Sequence, residues 1–176
     1  ELCNNFLEKK LAVKKTLLTT SCTDALEMAA ILLNIGAGDE VIVPSFTFVS
    51  TINAFVLRGA KPIFADIRFD TLNIDESIIE NLITDKTKAI IVVDLFGNMP
   101  HMDEIVKISE KYDIPLIEDA AEALGSKYKG VRAGKFGVGS VFSFHRTKTL
   151  TTGEGGMLLL DDEELYKKCM ICRDHG

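Results

Sequence analysis

Short apolar runs recur along this chain at 16–20, 41–43, 62–67, 89–94, 115–118, 140–144 and 157–160. Each is rich in Val, Ile, Leu or Phe without polar alternation, the pattern of strands buried on both faces. Helical periodicity fills several of the intervals. Leu26, Ala29, Ala30 and Leu33 recur at i, i+3, i+4 and i+7, which predicts a helix with Asp24 and Glu27 as its cap pair and Gly36 and Gly38 at its end. Ile74, Ile78, Ile79 and Leu82 predict a second helix, and Met102, Ile105, Val106 and Ile108 a third. A last one runs over 163–173, with Leu165, Cys169 and Cys172 on its apolar stripe. Strands separated by helices mean βαβ units, hence an α/β fold of three layers around a mostly parallel sheet. No internal repeat or linker interrupts the pattern, so residues 1–176 read as one domain.

Composition narrows the class. Hydrophobic residues make up 47% and charged residues 26% of 176 positions, enough apolar material for a real core. A net charge of −6 disfavours nucleic acid and anionic membranes as partners. No apolar run approaches the roughly 18 residues of a membrane span, and Glu1-Leu2-Cys3-Asn4-Asn5 carries no secretory pattern, so a cytoplasmic setting is expected. Cys169 and Cys172 form a CxxC, but two further ligands for zinc are not in view, and half-buried thiols on one helix are the expectation.

The candidate chemistry lies at strand ends. Nucleotide-binding motifs fail: no GxGxxG follows the first strand, and Gly130-Val131-Arg132-Ala133-Gly134-Lys135 has the wrong glycine spacing and Phe136 where a phosphate loop needs Ser or Thr. This disfavours a doubly wound oxidoreductase. The turn Thr20-Ser21-Cys22-Thr23-Asp24 enters a helix whose free amides suit a phosphate. Strand 115–118 ends at Asp119, where ligands of such sheets bind. Lys148 follows the strand 140–144 and precedes Gly153-Glu154-Gly155-Gly156. A placed lysine and a strand-end acid are the pair a pyridoxal-phosphate enzyme needs, one for a Schiff base and one for the ring nitrogen.

The order of these elements resembles the DegT/DnrJ/EryC1/StrS family of pyridoxal-phosphate sugar aminotransferases, from about Leu17 to Gly176. The matching segments are TSCTDALEMAA (20–30), GDEVIVPSFTFVSTINAFVLRGAKPIFADI (38–67), TLNID (71–75), ITDKTKAIIVVDLFGN (83–98), IEDAAEALGSKYKG (117–130) and FSFHRTKTLTTGEGGM (142–157). The early segments look most like enzymes that aminate dTDP-4-keto-6-deoxyhexoses, and the later ones like perosamine synthases.

The resemblance implies the large domain of the aspartate-aminotransferase fold (fold type I), with the smaller C-terminal domain absent from these residues. It implies pyridoxal 5'-phosphate as cofactor, L-glutamate as amino donor, a nucleotide-diphosphate ketosugar as acceptor and a homodimer. It assigns Lys148 to the Schiff base and Asp119 to the pyridinium nitrogen. Phe48 takes the ring-stacking place, Thr23 and Asp24 offer backbone amides to the phosphate, and Ser143 offers its hydroxyl. Glu122 falls near the cofactor's phenolic oxygen. A competing reading is a catalytically incompetent cofactor-binding fragment or a regulatory relative, because family members are substantially longer. Lys127, Lys129, Arg132, Lys135 and Arg146 offer charge for a diphosphate, with solvated surface the expected reading.

Overall fold

The computed structural model describes residues 2–175. In chain order the elements are α1 (Leu2–Leu11), β1 (Lys15–Thr19), α2 (Cys22–Leu32), β2 (Glu40–Pro44), α3 (Val49–Val56) and β3 (Lys61–Ala65). There follow α4 (Glu76–Leu82), β4 (Thr87–Val93), a 3-10 turn (Leu95–Gly97), α5 (Met102–Tyr112) and β5 (Leu116–Asp119). The hairpin β6 (Lys127–Tyr128) and β7 (Val131–Arg132), then β8 (Gly139–Ser143), β9 (Gly156–Leu160) and α6 (Glu163–His175) complete the fold.

All the apolar runs pair into a single seven-stranded sheet of order β1-β9-β8-β5-β4-β2-β3. The β2–β3, β2–β4, β4–β5 and β5–β8 pairs are parallel, whereas β9 runs antiparallel to both β1 and β8. One core lies on the face covered by α4 and α5, around Ile42, Ile90, Val92, Met102, Ile105 and Phe142. The other lies on the face of α2, α3 and α6, around Leu26, Val43, Phe55, Ile91, Val141 and Leu158. Strands covered on both faces carry apolar side chains at successive positions, which is why the runs were continuous. No helix among the described residues is long and apolar enough to cross a membrane.

Three boundaries differ from the pattern. Ser21, not Asp24, caps α2: its side chain accepts the Asp24 amide at 3.0 Å, satisfying a donor that the first turn leaves free. The helix also stops at Leu32, and Asn34 rather than Gly36 adopts the left-handed conformation (φ 52). Ile74 precedes α4, bridging to Ile67, and Asp75 caps the helix by accepting the Ser77 amide at 3.0 Å. Periodicity misses α1 and α3 altogether. On α6, Cys169 is fully buried and Cys172 half-buried, and burial pushes the Cys169 thiol up to about 12.

Candidate functional site

Asp119, Ser143 and the start of α2 lie at one edge of the sheet, because β5 and β8 run parallel and end side by side. Chain ends of parallel strands with helix starts beside them form a crevice by construction. Asp119 is 4% exposed and its carboxylate is held by two donors. Thr51 Oγ1 donates to Oδ2 at 2.8 Å, and the Ala121 amide to Oδ1 at 3.2 Å. Burial pushes this carboxyl above its usual range, while the Thr51 hydroxyl, the Ala121 amide and the charge of Lys148 pull the other way.

Thr51 was not legible in the sequence, since it sits 68 residues from its partner. It belongs to α3, is 1% exposed, and its hydroxyl also meets Thr47 Oγ1 at 2.9 Å. Thr51→Val keeps the shape and removes the donor. We expect a loss of about 1.5–3 kcal/mol of stability in urea unfolding, the range for a hydrogen bond to a charged group, with Thr51→Ser close to the parent.

Lys148 follows β8 on a turn closed by its own amide, which donates to the His145 carbonyl at 2.9 Å. Its side chain is 21% exposed and Nζ donates to Glu122 Oε1 at 3.1 Å. The second oxygen of Glu122 accepts the Phe96 amide at 2.9 Å. Phe96 is held in a left-handed conformation (φ 55, ψ 25) with an exposed ring, so Glu122 ties the lysine to a strained turn after β4. That tie was not legible in the sequence.

The remaining residues surround this pair. Ser143 is buried at the end of β8 and its Oγ accepts the His145 amide at 3.3 Å. Thr23 and Asp24 sit in the first turn of α2. The Asp24 amide is engaged by Ser21, and its carboxylate accepts from the Thr20 hydroxyl, so the amides of Cys22 and Thr23 are the ones the helix start leaves free. Burial pushes the Cys22 thiol up, Asp119 adds to the rise and Lys148 opposes it, which puts the thiol among these groups. Gly156 of β9 packs so closely on this turn that a Cβ there would lie 2.3 Å from the Ser21 carbonyl.

Phe48 stands at the N-cap of α3, makes no capping bond and is 74% exposed. An exposed aromatic has neither a capping nor a packing reason to occupy that position. A groove of about 420 Å³ between α4 and α5 lies elsewhere; its Lys107 and Lys111 already pair with Glu104 and Glu80. Asp119, Ser143, Lys148, Glu122 and the start of α2 thus lie near one another, and Phe48 stands exposed at the start of α3, the helix whose Thr51 reaches Asp119.

Comparison with known proteins gives a consistent picture. The profile of the DegT/DnrJ/EryC1/StrS aminotransferase family matches residues 4–176. GDP-perosamine synthase of Escherichia coli O157:H7 is 44% identical over 173 residues, which is 98% of this chain and 47% of that protein. The X-ray structure of the aminotransferase from Psychrobacter cryohalolentis superposes with a TM-score of 0.95 at 39% identity, over 98% of this chain and 44% of that one. The putative sugar aminotransferase Spr1654 of Streptococcus pneumoniae, in its PLP form, gives a TM-score of 0.90 at 36% identity, over 96% and 48% of the two chains. The chain thus spans about half the length of the relatives it matches.

Proposed function

We propose, because the chain belongs to the DegT/DnrJ/EryC1/StrS aminotransferase family, that it forms the cofactor-binding large domain of a pyridoxal-phosphate-dependent aminotransferase. The reaction moves an amino group from L-glutamate to a nucleotide-linked 4-keto-6-deoxy sugar. One observation carries this reading: a half-buried lysine amine and a buried strand-end acid share a crevice with a helix start whose first amides are free.

These residues fit pyridoxal phosphate. A carboxyl that burial pushes up, with a hydroxyl and an amide as donors, gains most from a cation beside it; a protonated ring nitrogen is such a cation. The free amides of Cys22 and Thr23, at the positive end of α2, suit a phosphate, with Ser143 Oγ as a further donor and Asp24 available only if its amide leaves Ser21. Phe48 offers its exposed ring for stacking. Bound there, pyridoxal phosphate would supply an electron sink for the carbanion next to the transferred amino group.

The chain's own part is to hold and move protons. Lys148 Nζ would hold the cofactor covalently and, as a free amine, would act as the base that moves a proton to and from the reacting carbon. Asp119 would stabilise a protonated ring nitrogen beside it. Glu122 receives the lysine ammonium when it is free, at the 3.1 Å contact described above. The exposed apolar side chains Val49, Leu57 and Phe64, on α3 and the edge strand β3, support a second copy of the chain as the cover of that face.

Borohydride reduction of the full-length protein with its cofactor, followed by peptide mapping, tests the reading. The cofactor is expected on Lys148 alone, and attachment at any other lysine overturns the assignment. Incubation with glutamate and a panel of dTDP-, UDP- and GDP-ketosugars then identifies the acceptor.

A further inference from the structure

Asp94 and Glu118 are wholly buried acids that the proposed reaction does not use. Asp94 follows β4 and Glu118 lies in the neighbouring β5, where Val92 pairs with Glu118 and Val93 with Asp119. Strand alternation puts Asp94 and Glu118 on one face of the sheet and Asp119 on the other.

Glu118 is fully engaged. The Gly134 amide donates to Oε1 at 2.7 Å, while the Phe136 amide and Ser140 Oγ donate to Oε2 at 3.3 and 3.2 Å. Asp94 is the opposite case: both its carboxyl oxygens are buried with no donor among the described residues. The side chain it faces is Glu118. Carboxylates only accept hydrogen bonds, so two anions here would repel each other and leave Asp94 unsatisfied in a low dielectric. A single proton between them removes both conflicts.

We propose that Asp94 and Glu118 share one proton, carried on Asp94 and donated to Glu118, and that this pair positions Asp119. The proton sits on Asp94 because three donors favour the anion on Glu118 and none favours it on Asp94. Burial pushes Asp94 up to about 10, with the charges of Glu118 and then Asp119 adding to the rise. The charged groups acting on Asp94 are thus both acids of β5, and the cation of the cluster, Lys148, acts on Asp119 instead.

Positioning follows from the backbone. The Asp94 amide donates to the Asp119 carbonyl at 3.0 Å, so the strand ends that carry the two residues are one unit. Ionising Asp94 would place two anions in a slot between those ends and drive them apart. Asp119 would lose its place opposite Thr51 and Lys148. The consequence for the cofactor rests on the function proposed above, whereas the shared proton does not.

Infrared spectroscopy of the full-length protein tests the proton directly. At neutral pH the wild type is expected to show the carbonyl stretch of a protonated carboxylic acid, shifted in deuterium oxide and absent in Asp94→Asn. Absence of the band in the wild type, or its survival in Asp94→Asn, overturns the proposal.

The pH profile supplies a second readout. An unfolded Asp94 titrates in the ordinary carboxylate range, and burial beside Glu118 raises the folded one far above it, so between the two values the folded chain holds the extra proton. Stability from this group is complete below the lower value and falls as pH rises through the window. Asparagine keeps a donor toward Glu118 and cannot ionise. Asp94→Asn should therefore gain thermal stability relative to wild type between about pH 5 and about pH 9, and its cofactor absorbance should persist to higher pH. Parallel stability profiles for the two proteins overturn the proposal. Loss of cofactor from both proteins, with the band and the profile as expected, tells against the function and leaves the shared proton standing.

Discussion

Alanine at position 148 is expected to lower turnover by about 10²–10⁴-fold or more, the range for losing a positioned acid–base group, with the covalent hold lost in addition. The fold should hardly notice. Lys148 lies on a turn closed by its backbone amide, and its side chain pairs with Glu122 on the wall of the crevice. Thermal stability should stay within about 0.5 kcal/mol of the parent, as for substitutions away from packed features. Lys148→Arg should be as inactive, because a guanidinium stays protonated and cannot serve as an amine base. The measurement is glutamate-dependent turnover of the full-length protein beside a melting curve. A Lys148→Ala variant that keeps a tenth or more of parental turnover (about 1.4 kcal/mol of barrier) removes Lys148 from the chemistry.

What made Lys148 and Asp119 visible in advance was their place in the pattern. Each follows an apolar run buried on both faces, and such runs announce themselves without an alignment. The contacts that support them were not visible, although Glu122 itself stood among the expected residues. Thr51 reaches Asp119 across 68 residues, and Glu122 reaches the Phe96 amide across 26; a pattern of nearest neighbours carries no trace of either. α3 escaped for a related reason, because Val49, Val56 and Leu57 are exposed and blur the periodicity that Thr51, Ala54 and Phe55 would give as its buried side. Helix ends failed on local competition. Ser21 is a better cap acceptor than a residue already inside the first turn, and Asn34 takes the left-handed position before the chain reaches Gly36. Asp94 closes the apolar run 89–94 in sequence, and nothing there marks it out. Only the neighbouring strand reveals that it is buried against another acid.

A structural effect on the crevice itself is expected from Gly156→Ala. A methyl group there would meet the Ser21 carbonyl carbon and oxygen at 2.3 Å and the Cys22 nitrogen at 2.4 Å. These are backbone atoms, so nothing can rotate aside as the tip of a side chain would. Gly156 is also pinned on both flanks, opposite Thr19 of β1 and Ser143 of β8. Moving β9 away disturbs Ser143, and moving the turn disturbs the start of α2, so either relief damages the crevice. Overpacking of this kind costs about 1–3 kcal/mol, which urea unfolding would read directly. Retention of pyridoxal phosphate should suffer beyond that loss, since the displaced atoms belong to the turn proposed to hold its phosphate. Gly36→Ala supplies the control: open space surrounds its Cβ position, its φ lies outside the left-handed region, and a change within about 0.5 kcal/mol is expected. Equal stability and equal cofactor retention in the two variants would mean that β9 does not press on the Ser21–Cys22 turn. The close approach of Gly156 would then have no part in shaping the site.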